Sequence, residues 1–477
     1  MQPKRIILLA ALIALVAKLY CAGTTTGTND TVFFYGFGKR INENGLAHTY
    51  KTVTIFNHTP LVGYYSALLQ RIEPGTQMKM ELLPFLLRLP GIIADFLAVF
   101  VLFRIRAITG GPPWWAIGVF VLSPVAFMVS GFHGNVDSVL ALLLLVAAWL
   151  ALENKPALCG VALGLACNVK VAPLLLGPVF AAWWWYRGAW RPRSVIRLAA
   201  LLLLSFCVLC FGLLWRLHVG DTADVLSADG IVYLSVLLLY PVVAICLWRS
   251  GGIGSFLLCA LLVTLAGWSS ALFGAPREFL GNVLGYQGYW GIWGVSWCLK
   301  QTGADVFQKV GFEQLTSAQM LVMAVCKWGI IAGVIVISWL RRKADALGLF
   351  TTLAWVWALF FVCAAGVAPQ YFVWLAPFLL VATPRWSAAV TAAASVFLFV
   401  FYNVTANVRT DRVQIVGGDP WTPPWVKPWD LARSDNPHIA LWGPWQMLPW
   451  IVLIGCLVWL TMRVLKERAK DAGAGSA

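Results

Sequence analysis

The chain of 477 residues is predicted to fold as an all-α polytopic membrane protein, a single integral membrane domain over residues 1–477. Three observations carry that prediction. Composition is the first: 60% of residues are hydrophobic and 12% charged, with a mean hydropathy of +0.79, outside the range of soluble globular domains. The second is the recurrence of apolar runs of about 15 to 22 residues, each long enough for a hydrocarbon layer about 30 Å thick, so that roughly 11 to 14 transmembrane helices fit. The third is the placement of charge. Of the 35 Lys and Arg, 18 fall in Lys4/Arg5, Arg104/Arg106, Lys155, Arg187 to Arg197, Arg249, Arg341 to Lys343, Arg385 and Arg463 to Lys470, between runs that a cytoplasmic loop would join.

The elements follow in order. The run at 6–22 lies behind Lys4 and Arg5; polar sequence without an evident cleavage site follows it, so it reads as an uncleaved first span. A polar stretch at 23–81 comes next. Spans are then expected at 82–103, 114–131, 138–152, 157–169, 171–186, 195–215, 231–249 and 254–273. After a second polar stretch at 274–318 come spans at 319–340, 346–366, 371–383 and 387–405; a third polar stretch, 406–445, precedes the last span at 446–463. Both termini are expected in the cytoplasm, with all three polar stretches outside. The net charge of +15 then reflects topology, and no nucleic-acid partner is expected. Membrane lipids surround the chain, and a bacterial plasma membrane is the expected location.

The first outer stretch has a helix-compatible segment, TVFFYGFGKRINENGLAHTY, and FNHTPLVGYYSALL at 56–69 fits an interfacial amphipathic helix. Trp and Tyr are dense in 274–300 and 419–438, as in an aromatic belt or a sugar-stacking surface. The cysteines fall mostly within spans as small apolar fillers, and the spacing of the five histidines offers no metal site. No P-loop or dinucleotide fingerprint appears, which disfavours nucleotide-driven transport.

Few ionisable groups lie at membrane depth, and each is costly unless paired or wet. Asp30 follows the first span where a helix meets water, a place for a general base to meet a lipid-linked substrate. Arg88 and Asp95 are seven residues apart on one helix face, fitting an ion pair, a network across helices or a substrate contact. His133, Asn135 and Asp137 open the fourth span, where Asp137 fits a helix cap as well as a site. Lys170 lies at a break between two short spans, positioned to hold a phosphate or to snorkel.

Taken in order, Asp30, FNHTPL, RLPGIIADF, FHGNVDS, NVKVAPLLLGP, the YQGYWGIWG segment after REF and APQYFVWLAPFLL resemble the GT-C class of polytopic membrane glycosyltransferases. These take a sugar from a polyprenyl-phosphate carrier on the extracytoplasmic face. The resemblance is strongest to the bacterial polyprenyl-phosphate-mannose-type hexosyltransferases. It implies a GT-C-type bundle, a lipid-linked sugar donor, a glycan or glycolipid acceptor and inversion in a single displacement. It gives Asp30 the role of general base. A second acidic residue is frequent beside that base in the class; here Asn29 stands there, which weighs against a metal-dependent version, and no cofactor is expected. Arg277 and then Lys170 are the expected partners of the leaving phosphate. Gln370 and Tyr371, which follow a Pro at another outer span end, are expected to bind donor or phosphate; His58 and His133 are expected to contact hydroxyl groups. The competing readings are a transporter or flippase of lipid-linked sugars, for which the sequence has no internal repeat, and a membrane acyltransferase.

Overall fold

A computed structural model describes residues 2–25, 27–74, 82–187, 252–286, 293–300, 316–408 and 447–474. Among these residues every regular element is a helix, and eight helices are long and apolar enough to cross a membrane. Three shorter apolar helices, Asp137–Leu152, Pro156–Val169 and Pro369–Ala382, accompany them. The chain is a multi-pass all-α membrane protein. The expected spans at 195–215 and 231–249 lie outside the described residues, as does the third polar stretch from 409 onward.

Helix α1 (Pro3–Thr24) presents Ile6, Leu9, Leu12, Ile13, Val16 and Tyr20 outward, as a lipid-facing helix must. Three short helices follow it: α2 (Asn29–Asn44), α3 (Leu46–Thr52) and α4 (Pro60–Ile72). The last is amphipathic, with Val62, Gly63, Ser66, Ala67 and Leu69 buried and Leu61, Tyr64 and Leu68 exposed. It lies so close to α2 that a Cβ on Gly38 would come within 2.2 Å of the Ser66 carbonyl oxygen, so this crossing requires glycine. Glu73, just past α4, accepts hydrogen bonds from the Leu82 and Leu83 amides at 3.1 and 2.6 Å, capping the first turn of α5 (Leu83–Thr109).

The next span is interrupted. Helix α6 (Trp114–Val121) stops at Ser123-Pro124, where Pro124 removes a backbone donor; a single turn, α7 (Pro124–Ala126), leads into a π-helix over Phe127–His133. Helices α8 (Asp137–Leu152) and α9 (Pro156–Val169) form an antiparallel pair, and a 3₁₀ turn, Ala172–Leu176, leads to α10 (Gly177–Arg187). The expected span 171–186 is therefore a broken element. Then come α11 (Gly252–Gly274), α12 (Pro276–Leu284), α13 (Gly294–Lys300), α14 (Ser317–Leu340) and α15 (Ala346–Cys363). A 3₁₀ turn, Pro369–Tyr371, opens α16 (Phe372–Ala382), which buries every residue except Ala376. Eleven residues cannot span a bilayer alone, and α16 sits instead at the centre of the bundle, against α15 and α17 (Pro384–Val408). Helix α18 (Met447–Ala474) closes the described fold against α15 and α17.

Candidate active site

The turn between α1 and α2 sets the position of Asp30. Gly27 there has φ +82°, and a Cβ on it would meet Arg88 Nη2 at 2.2 Å and the Phe132 carbonyl at 2.4 Å; both the conformation and the space require glycine. Thr28 is the N-cap of α2, which places Asp30 in the first helical turn, where a negative charge is favoured.

Asp30 faces the end of the π-helix. Its Oδ2 accepts a hydrogen bond from Asn135 Nδ2 at 2.7 Å and lies 3.0 Å from His133 Nε2, a charge contact whose direction falls short of a well-aligned hydrogen bond. The carboxylate is 22% exposed while the imidazole is 6% exposed, so the acid is reachable and its partner is behind it. Burial raises the Asp30 pKa, but His133, Asn135 and the more distant His58 outweigh it and bring it down to about 2, leaving the group fully ionised at neutral pH. Thr28 donates its hydroxyl proton to the His133 carbonyl at 2.7 Å, and the same oxygen is 3.2 Å from His133 Nδ1. With its one proton committed, Thr28 takes part in any bond to Nδ1 as the acceptor, which fixes the ring's orientation.

A second ionic unit lies at the head of α8. Lys170 Nζ and Trp374 Nε1 both donate to Asp137 Oδ1 at 2.8 Å, and the ammonium rests 4.7 Å from the Tyr371 ring centre and 5.4 Å from that of Trp374. Tyr371 and Trp374 stack at 3.9 Å. Asp137 is fully buried and makes no capping bond to α8, so the capping reading of this residue does not hold. Nor does Lys170 snorkel as a free cation: its charge is neutralised by Asp137.

Two other residues join these units. The His133 and Tyr402 rings lie 5.3 Å apart, and Tyr402 feels the charges of both Asp30 and Asp137. His58 packs among Phe34, Phe37 and Phe56, with ring centres 4.9 to 5.9 Å away. Burial first, and the Lys170 charge second, push its pKa down to about 4 against the opposing pull of Asp30, so its ring is neutral at physiological pH.

Asp30, His58, His133, Asp137, Lys170 and Tyr371 thus gather at one end of the bundle. Gln370 is buried beside Tyr371. Arg88 and Asp95 do not pair with each other. Arg88 is fully buried, and its Nη1 donates to the Ala22 and Thr25 carbonyls at 3.2 and 2.9 Å and to Thr25 Oγ1 at 2.7 Å, tying α5 to the end of α1 just before the Asp30 turn. Asp95 instead accepts from Lys18 Nζ and Ser130 Oγ, both at 2.6 Å. Arg277 is exposed on α12, without a hydrogen bond or ion pair to this cluster among the described residues. Asn135, Trp374 and Tyr402 were not singled out as individual site residues by sequence reasoning; only Asn135 carried a signal, its place between His133 and Asp137.

Among the described residues no three His, Cys, Asp or Glu side chains form a metal-holding group. No protein family and no curated protein matches the sequence. Among solved structures, the crystal structure of ArnT from Cupriavidus metallidurans bound to undecaprenyl phosphate is similar, with a TM-score of 0.41 and 13% sequence identity over 92% of this chain and 77% of that one.

Proposed function

We propose that the chain is an inverting GT-C-class glycosyltransferase that moves a hexose, mannose in our reading, from a polyprenyl-phosphate carrier to a lipid-linked or glycan acceptor on the extracytoplasmic face. The observation that supports this most directly is the setting of Asp30: an ionised, partly exposed carboxylate at a helix start, held through one oxygen by His133 and Asn135. With Oδ2 so occupied, Oδ1 is the oxygen to take the acceptor hydroxyl proton as that hydroxyl attacks the anomeric carbon. His133, 3.0 Å from Oδ2, keeps the carboxylate aimed.

For the departing phosphate, Arg277 and Lys170 are the proposed partners, with Lys170 shared with Asp137. Tyr371, which stacks on the buried Trp374, and Gln370 beside it are the proposed contacts to donor or phosphate. His58, neutral among aromatic rings, is suited to a hydroxyl contact. A second reading, transport of a lipid-linked sugar, draws on the Lys18–Asp95 pair at membrane depth.

The test is transfer by the purified chain from a panel of radiolabelled polyprenyl-phosphate sugars to membrane lipid extract, with Asp30→Asn beside it. Transfer that drops by orders of magnitude in the variant supports the proposal and names the sugar. An inactive wild type across the panel, or an equally active variant, overturns it and favours transport.

A further inference from the structure

Among the described residues, the end of the bundle opposite Asp30 carries more cations than carboxylates. Helix α16 starts at the site with Trp374 and ends at Ala382, whose carbonyl accepts from Arg463 Nη1 of α18 at 3.2 Å. Beside it lie the C-terminal ends of α10 and α14 and the start of α15. Arg187 Nη2 donates to the Ala344 carbonyl at 2.6 Å, and Arg341 Nη1 reaches Glu467 at 2.8 Å, with Arg463 on the same carboxylate at 3.0 Å. The local acids are thus used internally: Glu467 is shared by two arginines, and Asp345 caps α15 by accepting from the Gly348 amide at 2.7 Å. Among the described residues, Arg187, Arg341, Arg342, Lys343 and Arg463, with Lys466 and Arg468 flanking Glu467 on α18, outnumber these two carboxylates.

The cations are also held in place. Arg187 lies 3.2 Å from the Trp183 ring centre, Arg342 4.2 Å from Trp339 and Lys343 5.5 Å from Tyr186. Such stacking fixes a cation at the depth where indole and phenol rings settle in a membrane interface. Immediately toward the membrane, Val336 and Trp339 of α14 and Met462 and Leu465 of α18 are exposed, and Val325 and Trp328 of α14 and Ile451 and Val458 of α18 continue the exposed apolar surface along both helices, a length that acyl chains can follow.

We propose that this end of the bundle is a binding site for an anionic phospholipid, its phosphate held by Arg187, Arg342 and Lys343 and its acyl chains lying on the exposed faces of α14 and α18. The chemistry is that of a phosphate diester in low-dielectric surroundings, where guanidinium groups are preferred partners and each added cation strengthens attraction to an anionic leaflet. The site is independent of the transfer reaction at the other end.

The test uses the full chain purified in neutral detergent, with cardiolipin, phosphatidylglycerol or phosphatidylcholine added and bound lipid counted by native mass spectrometry. The expected result is that either anionic lipid binds at least tenfold more tightly than phosphatidylcholine. Arg342→Gln/Lys343→Gln, and the milder Lys343→Gln alone, weaken anionic binding, whereas Lys39→Gln/Arg40→Gln, on exposed residues of α2, leaves it unchanged. Equal affinity for phosphatidylcholine, or equal loss in the α2 control, would overturn the proposal.

Discussion

Lys170 and Asp137 meet at 2.8 Å across the end of α9 and the head of α8, with the carboxylate wholly buried. The turn at residues 153–155 folds α9 back along α8 and sets these two residues opposite each other, and their ion pair fastens the hairpin at its open end. Removing one partner strands the other charge in an apolar setting. Asp137→Ala is expected to cost about 3 kcal/mol, and Asp137→Ala/Lys170→Met clearly less than the sum of the two single changes. Denaturant or thermal unfolding in detergent gives the numbers; strict additivity would show that the contact contributes nothing.

His133 Nε2, 3.0 Å from Asp30 Oδ2, holds the carboxylate in its orientation. His133→Leu is expected to slow transfer by about 10- to 100-fold with the substrate KM little changed, because the carboxylate remains but loses its alignment. In an Asp30→Asn background the same change should add almost nothing. Steady-state kinetics on the four proteins decide it, and independent, multiplying losses would separate the two residues.

Lys18, Asp95 and Ser130 form a second tether, at membrane depth. Ser130 lies within the π-helix that ends at His133, so the 2.6 Å contacts to Asp95 hold that helix against α1 and α5. Asp95→Leu leaves the Lys18 ammonium buried without its partner, while Lys18→Met/Asp95→Leu removes both charges. The single variant is expected to raise the rate at which diethyl pyrocarbonate modifies His133, and the double variant to return it toward wild type. Mass spectrometry of the modified peptide measures this without any need for transfer activity. Identical rates in all three proteins would remove Asp95 from the positioning of His133.

His58 links stability to pH. In the unfolded chain it takes a proton near its ordinary pKa of about 6.5, whereas in the fold it does so only at about 4. Between those values the unfolded state binds more protons, so stability present above about pH 6.5 is lost as pH falls toward 4. Asp30, held near 2, adds its own loss only below the ordinary carboxylate range. Thermal unfolding across pH 4 to 7 should show a slope that His58→Gln flattens; an unchanged slope would assign it to another group.

The membrane character and most long spans were legible in the sequence because hydrophobic length is a local property. Helix α14 at Ser317–Leu340 coincides with its expected span to within two residues, and α15 begins at the expected residue. The partners of charges were less legible. Arg88 and Asp95 share a helix face, yet each turns to a different neighbour, and Lys18, 77 residues from Asp95, sits in an apolar run that gives no hint of a partner. Asp137 has the position of a cap, but α9 and α16 bring a lysine and an indole to it, and such long-range arrivals outweigh a local preference. The break at Ser123-Pro124 and the π-helix over FMVSGFH both interrupt the single span expected at 114–131, which hydrophobic length alone could not divide.

That π-helix makes the number of residues matter as much as their kinds. Each α-helical residue advances the chain by about 100°, and a π-turn accommodates one more residue than the α-helical turn it replaces. Losing a single residue anywhere between Phe127 and His133 would let the segment relax to α-helix and change the angle between the side chains on either side of the loss. Ser130 would then leave Asp95, or His133 would leave Asp30, for both cannot keep their places on the shorter path. Proteins that share this arrangement would tolerate exchanged side chains in the stretch far better than an altered count.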